Sequence, residues 1–147
     1  SWLAAVAFGS LPFQFSATIP SGVDALFESA SGFTTTGCSI LSAERIDALP
    51  HSIALWRALT HWVGGIGIVL VFVVLFPTGG RSLFRSEVPG VSRDAGKQRV
   101  RDAAIAVVRV YVILTALHAV ALVAVGTSVF DAVIHSFSTL ATGGFSN

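Results

Sequence analysis

The chain has 147 residues, of which 53% are hydrophobic and only 12% carry a charge. Since a soluble domain of this length usually carries about twice that charged fraction, the composition argues against a soluble globular protein and favours a membrane protein. The single cysteine, Cys38, excludes an internal disulfide framework and a cysteine metal cluster. The chain opens at Ser1 inside an apolar run and stops soon after a Thr/Gly turn. We therefore expect an internal piece of a larger membrane protein.

The first two predicted elements are helices that are too short to cross a membrane. Residues 2–15 are apolar, but at about 1.5 Å per residue they cannot span a hydrocarbon core of about 30 Å, so we expect the end of an outer helix. A turn follows, in which Ser21 is a candidate N-cap. Residues 23–32 have helical apolar spacing over only ten positions. Such a short helix is tolerated in a membrane protein where protein or a water-filled cavity surrounds it.

A Thr/Gly turn at residues 33–39 and a polar stretch at residues 42–51 separate these elements from the first predicted membrane span. That span covers residues 52–76 and ends before Pro77. It contains the sequence WVGGIG at residues 62–67, in which three glycines thin the helix. We therefore expect another helix, or the short helix, to approach the span closely at this point.

Residues 78–102 form the only long polar stretch and contain six of the nine basic residues. These six are Arg81, Arg85, Arg93, Lys97, Arg99 and Arg101. Because basic loops stay in the cytoplasm, the span 52–76 is predicted to run inward and the span 103–125 to run outward. A second short helix at residues 129–140 and a second Thr/Gly turn at residues 141–146 follow.

The two short helices and their turns are copies of one segment. Residues 24–39 (DALFESASGFTTTGCS) align without a gap on residues 131–146 (DAVIHSFSTLATGGFS). The identical pairs are Asp24 with Asp131, Ala25 with Ala132, Ser29 with Ser136, Ser31 with Ser138, Thr35 with Thr142, Gly37 with Gly144 and Ser39 with Ser146. Both turns open toward the same side of the membrane. A short helix leading into a Thr/Gly loop is a way of aiming backbone carbonyls at a dehydrated ion, so the repeat indicates a pore.

The residue types in the turns suit this chemistry. Consecutive carbonyls can point one way only with unusual backbone dihedrals, which glycine adopts at low cost, and Gly37, Gly143 and Gly144 are predicted to do so. Threonine hydroxyls can add oxygen ligands or brace the loop; the threonines concerned are Thr34, Thr35, Thr36 and Thr142. The negative C-terminal ends of the short helices would face the loop and its water-filled approach.

At four segments the chain resembles the Trk/Ktr/HKT superfamily of potassium transporters, and within it the bacterial TrkH/TrkG-type subunits. The segments are residues 25–39, 57–68 (RALTHWVGGIGI), 84–90 (FRSEVPG) and 131–146. The resemblance implies an all-α membrane protein of helix–pore-helix–helix repeats, four of which surround one pore of the potassium-channel type. This chain would hold about one and a half of them.

The resemblance also implies a division of the chain and a set of ion contacts. Residues 1–77 would hold the first repeat from the end of its outer helix, residues 78–102 the cytoplasmic loop, and residues 103–147 the second repeat as far as its filter. The filter glycines would be Gly37 and Gly144. The backbone carbonyls that contact potassium would be those of Thr35, Thr36, Thr142 and Gly143, with Thr34 and Ala141 completing the filter.

The function implied is potassium uptake across the bacterial inner membrane by a multi-pass, pore-forming subunit. The resemblance further implies a homodimer with a cytosolic nucleotide-binding regulator of the TrkA type. We expect potassium as the transported ion, and no cofactor, enzymatic activity or nucleic-acid partner.

Several polar residues on the short helices and the first span have two readings. Glu28 and His135 occupy equivalent positions and either bond loop backbone or contact the ion, with the first favoured. Asp24 and Asp131 are expected to cap the helices rather than attract cations. Arg57 lies near the outer end of its span, where its side chain can reach the membrane surface.

Two other functions are compatible with parts of the sequence. An intramembrane serine hydrolase would use Ser31 beside Gly32 together with His61 or His118, and it requires a nucleophile–base pair within reach. Otherwise His118 is expected to be a packed, hydrogen-bonded imidazole. A structural membrane subunit without conduction is the third possibility. Neither alternative requires two Thr/Gly loops on one side of the membrane.

Overall fold

The computed structural model describes residues 2–75 and 93–144, and for residues 93–99 it describes the backbone alone. All regular structure in these two ranges is helical, as the predicted fold class requires. The helices are α1 (Trp2–Phe15), α2 (Gly22–Phe33), α3 (Ala43–Asp47), α4 (His51–Leu75), α5 (Arg93–Ala124) and α6 (Val129–Leu140). The short helix α3 lies in the polar stretch for which the sequence predicted no helix.

The two short helices, α2 and α6, begin with the same cap. The side chain of Ser21 accepts a hydrogen bond from the backbone N–H of Asp24 at 3.4 Å. Ser128 accepts the equivalent bond from Asp131 at 3.2 Å. The N-cap predicted at Ser21 is confirmed, but the two aspartates are not the caps. They lie in the first helical turn, where a carboxylate still interacts favourably with the positive end of the helix.

Within residues 2–75 and 93–144, two helices are long and apolar enough to cross a membrane: α4 over His51–Leu75, and α5 over Val100–Ala124. The structure starts α5 at Arg93, so residues 93–102 of the predicted loop are helical. Polarity alone misplaced this boundary, because a helix that continues beyond the membrane carries charged residues as a loop does. Residues 78–92, the rest of the predicted basic loop, lie outside the described residues.

Helix α4 lies between two pairs of helices. Helix α2 packs on α1, α6 packs on α5, and α4 contacts every one of these four helices. An apolar cluster that includes Phe13 and Ile53 joins α1 to α4, and another that includes Ala58 and Ile134 joins α4 to α6. The ends of both short helices, and the loops that follow them, are therefore positioned against the same long helix.

Candidate functional site: two Thr/Gly loops on one helix

The first loop (residues 34–39) leaves α2 through a Schellman motif. The backbone N–H of Thr35 donates to the carbonyl of Gly32 at 3.0 Å, and that of Thr36 donates to the carbonyl of Ser31 at 3.0 Å. These are the two bonds that define the motif, and they satisfy carbonyls that the end of a helix would otherwise leave free. They fix the direction in which the chain leaves the helix.

The second loop (residues 141–144) leaves α6 in the same way. The backbone N–H of Thr142 donates to the carbonyl of Thr139 at 3.0 Å, and that of Gly143 donates to the carbonyl of Ser138 at 3.1 Å. These residues align with the partners of the first motif in the sequence repeat. The repeat therefore extends from sequence to the backbone hydrogen bonds of both helix ends.

The backbone dihedrals of the two loops also match. In the first loop φ is 55° at Thr35 and 76° at Gly37, and in the second loop φ is 53° at Thr142 and 78° at Gly144. The residue between them has a negative φ in both loops, including Gly143. Positive and negative φ values thus alternate, and the positive values are the unusual backbone conformation that the sequence predicted. The prediction was right for two of its three glycines and wrong for Gly143.

A left-handed conformation at threonine is uncommon. It costs about 1–2 kcal/mol for a residue with a Cβ atom. The same cost occurs at Thr35 and at Thr142, where the Schellman bonds hold the backbone in place. A left-handed residue at this position belongs to the Schellman motif, and the two loops share it with threonine rather than glycine there.

The two loops lie directly against each other. A Cβ atom placed on Gly37 would overlap the carbonyl oxygen of Gly143 and would lie 3.6 Å from the Cα of Gly144. No side chain separates the two backbones at this point. The structure therefore brings together the two filter glycines predicted from the sequence and one of the predicted carbonyl ligands.

Gly143 is a glycine for reasons of space rather than conformation. A Cβ atom at this position would lie 2.7 Å from Cγ of His61, whose side chain is fully buried. The imidazole of His61 thus forms the surface on which the second loop rests. The sequence marked His61 only as a residue of the first span and a possible base.

The glycines of α4 receive the ends of both short helices. A Cβ atom on Gly64 would overlap the carbonyl group of Phe33, the last residue of α2. One on Gly65 would lie 3.1 Å from the Cα of Ala141, the C-cap of α6. The close approach predicted from the glycine-rich sequence is confirmed, and consecutive glycines serve the two copies.

Behind the first loop lies a buried ion pair. Arg57 of α4 donates from Nε to Oε1 of Glu28 at 2.7 Å, and both side chains are almost wholly buried. Arg57 therefore does not extend to the membrane surface as the sequence suggested, because a buried carboxylate of α2 lies within its reach. Two opposite charges in apolar helices were a signal for this pair, since buried charges in membrane proteins are usually paired.

Glu28 also bonds the far end of the first loop. Its carboxylate accepts from the hydroxyl of Ser39 at 2.9 and 3.1 Å and from the backbone N–H of Ile40 at 3.2 Å. Of the two roles left open for Glu28, the contact with loop backbone is the one that the structure contains. His135, the equivalent residue of α6, is half-buried.

The threonine hydroxyls of the first loop brace it internally. Thr34 donates its hydroxyl proton to the carbonyl of Ala30 at 2.7 Å, and its oxygen lies 2.8 Å from the hydroxyl of Thr36. Since the proton of Thr34 is already used, Thr36 is the donor in this second bond. The second loop has Ala141 and Gly143 at these positions and lacks the brace.

A contact between His118 and Ser136 bears on the hydrolase hypothesis. Nδ1 of His118 lies 3.1 Å from the hydroxyl of Ser136, which also donates to the carbonyl of Ala132 at 2.6 Å. The predicted hydrogen bonding of His118 is confirmed. Ser136 is completely buried, so a substrate carbonyl has no approach to its oxygen. The contact ties α6 to α5 rather than forming an accessible nucleophile.

Comparison with known proteins gives a consistent result. A family model described as TrkH, a cation transport protein, matches residues 2–147. The Trk system potassium uptake protein TrkH of Halomonas elongata is 43% identical over 150 residues, which cover 99% of this chain and 31% of that protein. The protein of the same name from Escherichia coli K12 is 41% identical with the same coverage.

A solved structure also matches. The crystal structure of the potassium transporter TrkH from Vibrio parahaemolyticus aligns with a TM-score of 0.79 and 37% identity, covering 99% of this chain and 28% of that one. The chain thus spans less than a third of the relatives that it matches. The family resemblance and the all-α fold predicted from the sequence are confirmed: the chain belongs to the TrkH family of cation transport proteins, which are membrane proteins.

Proposed function

We propose that this chain supplies two of the strands that line the selectivity filter of a potassium uptake protein. The observation that carries the proposal is the pair of loops with matching φ values at Thr35 and Gly37 and at Thr142 and Gly144. The alternation of positive and negative φ values would allow successive carbonyls to face one side, where they can replace the hydration shell of an ion. The close contact between Gly37 and Gly143 supports the proposal, because the two loops lie against each other there.

The transported ion in this proposal is potassium. Uncharged carbonyl oxygens bind a monovalent cation without holding it too tightly to leave, which suits conduction. The contacts would be the carbonyls of Thr35, Thr36, Thr142 and Gly143. The names of the relatives, which are potassium uptake proteins, support this choice.

Further repeats must complete the pore, because two strands cannot surround an ion. In the proposed arrangement residues 1–77 and 103–147 belong to successive repeats, and residues 78–102 connect them on the cytoplasmic side. The complete protein would be a multi-pass, non-enzymatic transporter of the bacterial inner membrane. It would form a homodimer and bind a cytosolic TrkA-type regulator.

A potassium-uptake assay tests the proposed function. It uses the longer transporter that, in our proposal, contains this chain. In cells without their own potassium uptake systems, the transporter should restore growth and uptake at low potassium. Gly144→Ser should abolish this rescue or let sodium enter, because serine is strained at a φ of 78°.

Gly22→Ser is the matched control, since a Cβ atom at Gly22 has no neighbour within 4 Å. It should transport as the parent does. Unchanged potassium uptake by Gly144→Ser at equal membrane expression would contradict the assignment of this loop to the filter.

A further inference from the structure

The carboxylate of Glu28 joins α2, α4 and the far end of the first loop. It lies on α2, receives Arg57 from α4, and receives Ser39 and Ile40 from the chain beyond Gly37. A carboxylate is acceptor-only and offers about four lone-pair sites, so it can bind all three donors at once. Its full burial removes competition from water.

The first loop is therefore held at both ends by α2. At its start the Schellman bonds tie Thr35 and Thr36 to the backbone of the helix. At its end Glu28 ties Ser39 and Ile40 to a side chain of the same helix. Gly37 lies between these two attachments, so their positions determine where the strained part of the loop lies.

The sequence copy does not provide the same attachment in the second repeat. His135 replaces Glu28 there, and an imidazole has at most one acceptor nitrogen. A histidine cannot accept from a guanidinium, a hydroxyl and a backbone amide together. In the described part of the chain, the first loop is thus attached through a carboxylate and the second loop has no carboxylate at the equivalent position.

Arg57 balances the charge of this attachment. Removing one partner of a buried ion pair leaves an uncompensated charge and is strongly destabilising. The pair is neutral as a whole, and the carboxylate oxygens of Glu28 also accept hydrogen bonds from the loop. Arg57 thus supports the loop through Glu28.

We propose that Glu28 is a positioning residue that sets the ion preference of the first loop by holding Ser39 and Ile40, with Arg57 as its counter-ion. The proposal rests on the proposed function, since ion preference has meaning only for a transporter. It assigns to Glu28 no contact with the ion. It also predicts that the hydrogen bonds to the loop, and not only the ion pair, matter for selectivity.

Ser39→Ala tests this prediction without disturbing the ion pair. In the full transporter, potassium-over-sodium preference in competition uptake should fall about fivefold or more, as expected for loss of a hydrogen bond to a charged group. The exposed thiol of Cys38, next to Ser39, should react faster with a thiol reagent. Ser42→Ala is the control, because Ser42 is exposed and its side chain makes no cap bond.

A charge exchange separates positioning from simple stabilisation. Glu28→Arg combined with Arg57→Glu keeps opposite charges together, but a guanidinium at position 28 only donates and cannot accept from Ser39 or Ile40. We expect expression to recover relative to Glu28→Arg alone while potassium preference stays low. If the exchange does not reach the membrane, Ser39→Ala decides the question.

Parent-like potassium preference in Ser39→Ala, or its recovery in the charge exchange, would overturn the proposal. The Cys38 labelling rate distinguishes this outcome from failure of the proposed function. If the parent does not move potassium, faster Cys38 labelling in Ser39→Ala still supports the attachment of the loop, and an unchanged rate refutes it.

Discussion

Gly37→Ala is expected to lower selective potassium uptake at least about tenfold. Alanine is strained at a φ of 76°, which costs about 1–2 kcal/mol. In addition, its Cβ atom would occupy the position of the Gly143 carbonyl oxygen, so the second loop must move. A single methyl group thus strains the first proposed filter strand and displaces a proposed ligand, the Gly143 carbonyl, of the second. Uptake of potassium and sodium by the full transporter, at matched expression, measures the effect.

Substitutions at two further glycines separate the two causes of this loss, which are backbone strain and the clash with the second loop. Gly126 has a φ of 103° but no neighbour within 4 Å of an added Cβ, so Gly126→Ala introduces strain without a clash. It should lower stability while leaving ion preference unchanged. Gly144→Ala introduces strain inside the second loop, again without a neighbour within 4 Å among the described residues. If Gly37→Ala, like Gly126→Ala, lowered stability but left ion preference unchanged, contact between the loops would not underlie selectivity.

Gly64→Ala is expected to destabilise the transporter by about 1–3 kcal/mol, as overpacking of a filled interior does. Alanine is the better helix former by about 1 kcal/mol, so helix propensity alone predicts stabilisation. The Cβ atom would overlap the carbonyl of Phe33, which is backbone at the end of α2 and cannot rotate away. Thermal unfolding of the purified protein in detergent measures which effect dominates.

Gly67→Ala is the matched control on the same helix. Its Cβ atom would meet only the ring of Trp2 at 3.0 Å, and that ring lies on a partly exposed side chain that can shift. We expect little change in the unfolding temperature. A Gly64→Ala protein as stable as the Gly67→Ala protein would show that α2 does not need the groove at Gly64.

The sequence repeat was sufficient to predict the short helices and the residues of both loops. Period, caps and turn residues are local signals, and residues 129–140 were assigned with the observed limits. The left-handed conformation at Thr35 and Thr142 was not predictable in this way, because local preference assigns it to glycine. There the hydrogen bonds at the helix ends determine the backbone and override the preference.

Two contacts between distant segments were also not predicted from the sequence. The pairing of Glu28 with Arg57 joins two helices, and nothing local distinguishes it from an arginine that reaches the membrane surface. The need for a glycine at position 143 depends on the buried ring of His61. In both cases the decisive neighbour comes from α4, whose position is fixed only when all the helices pack.

The most direct test of the filter assignment is to locate a potassium substitute in the full transporter. Anomalous diffraction from crystals grown in thallium should show a peak beside the backbone carbonyls of Thr35, Thr36, Thr142 and Gly143. Gly37→Ala crystals should lose this peak. Thallium bound elsewhere along the pore, with none beside these carbonyls, would contradict the account.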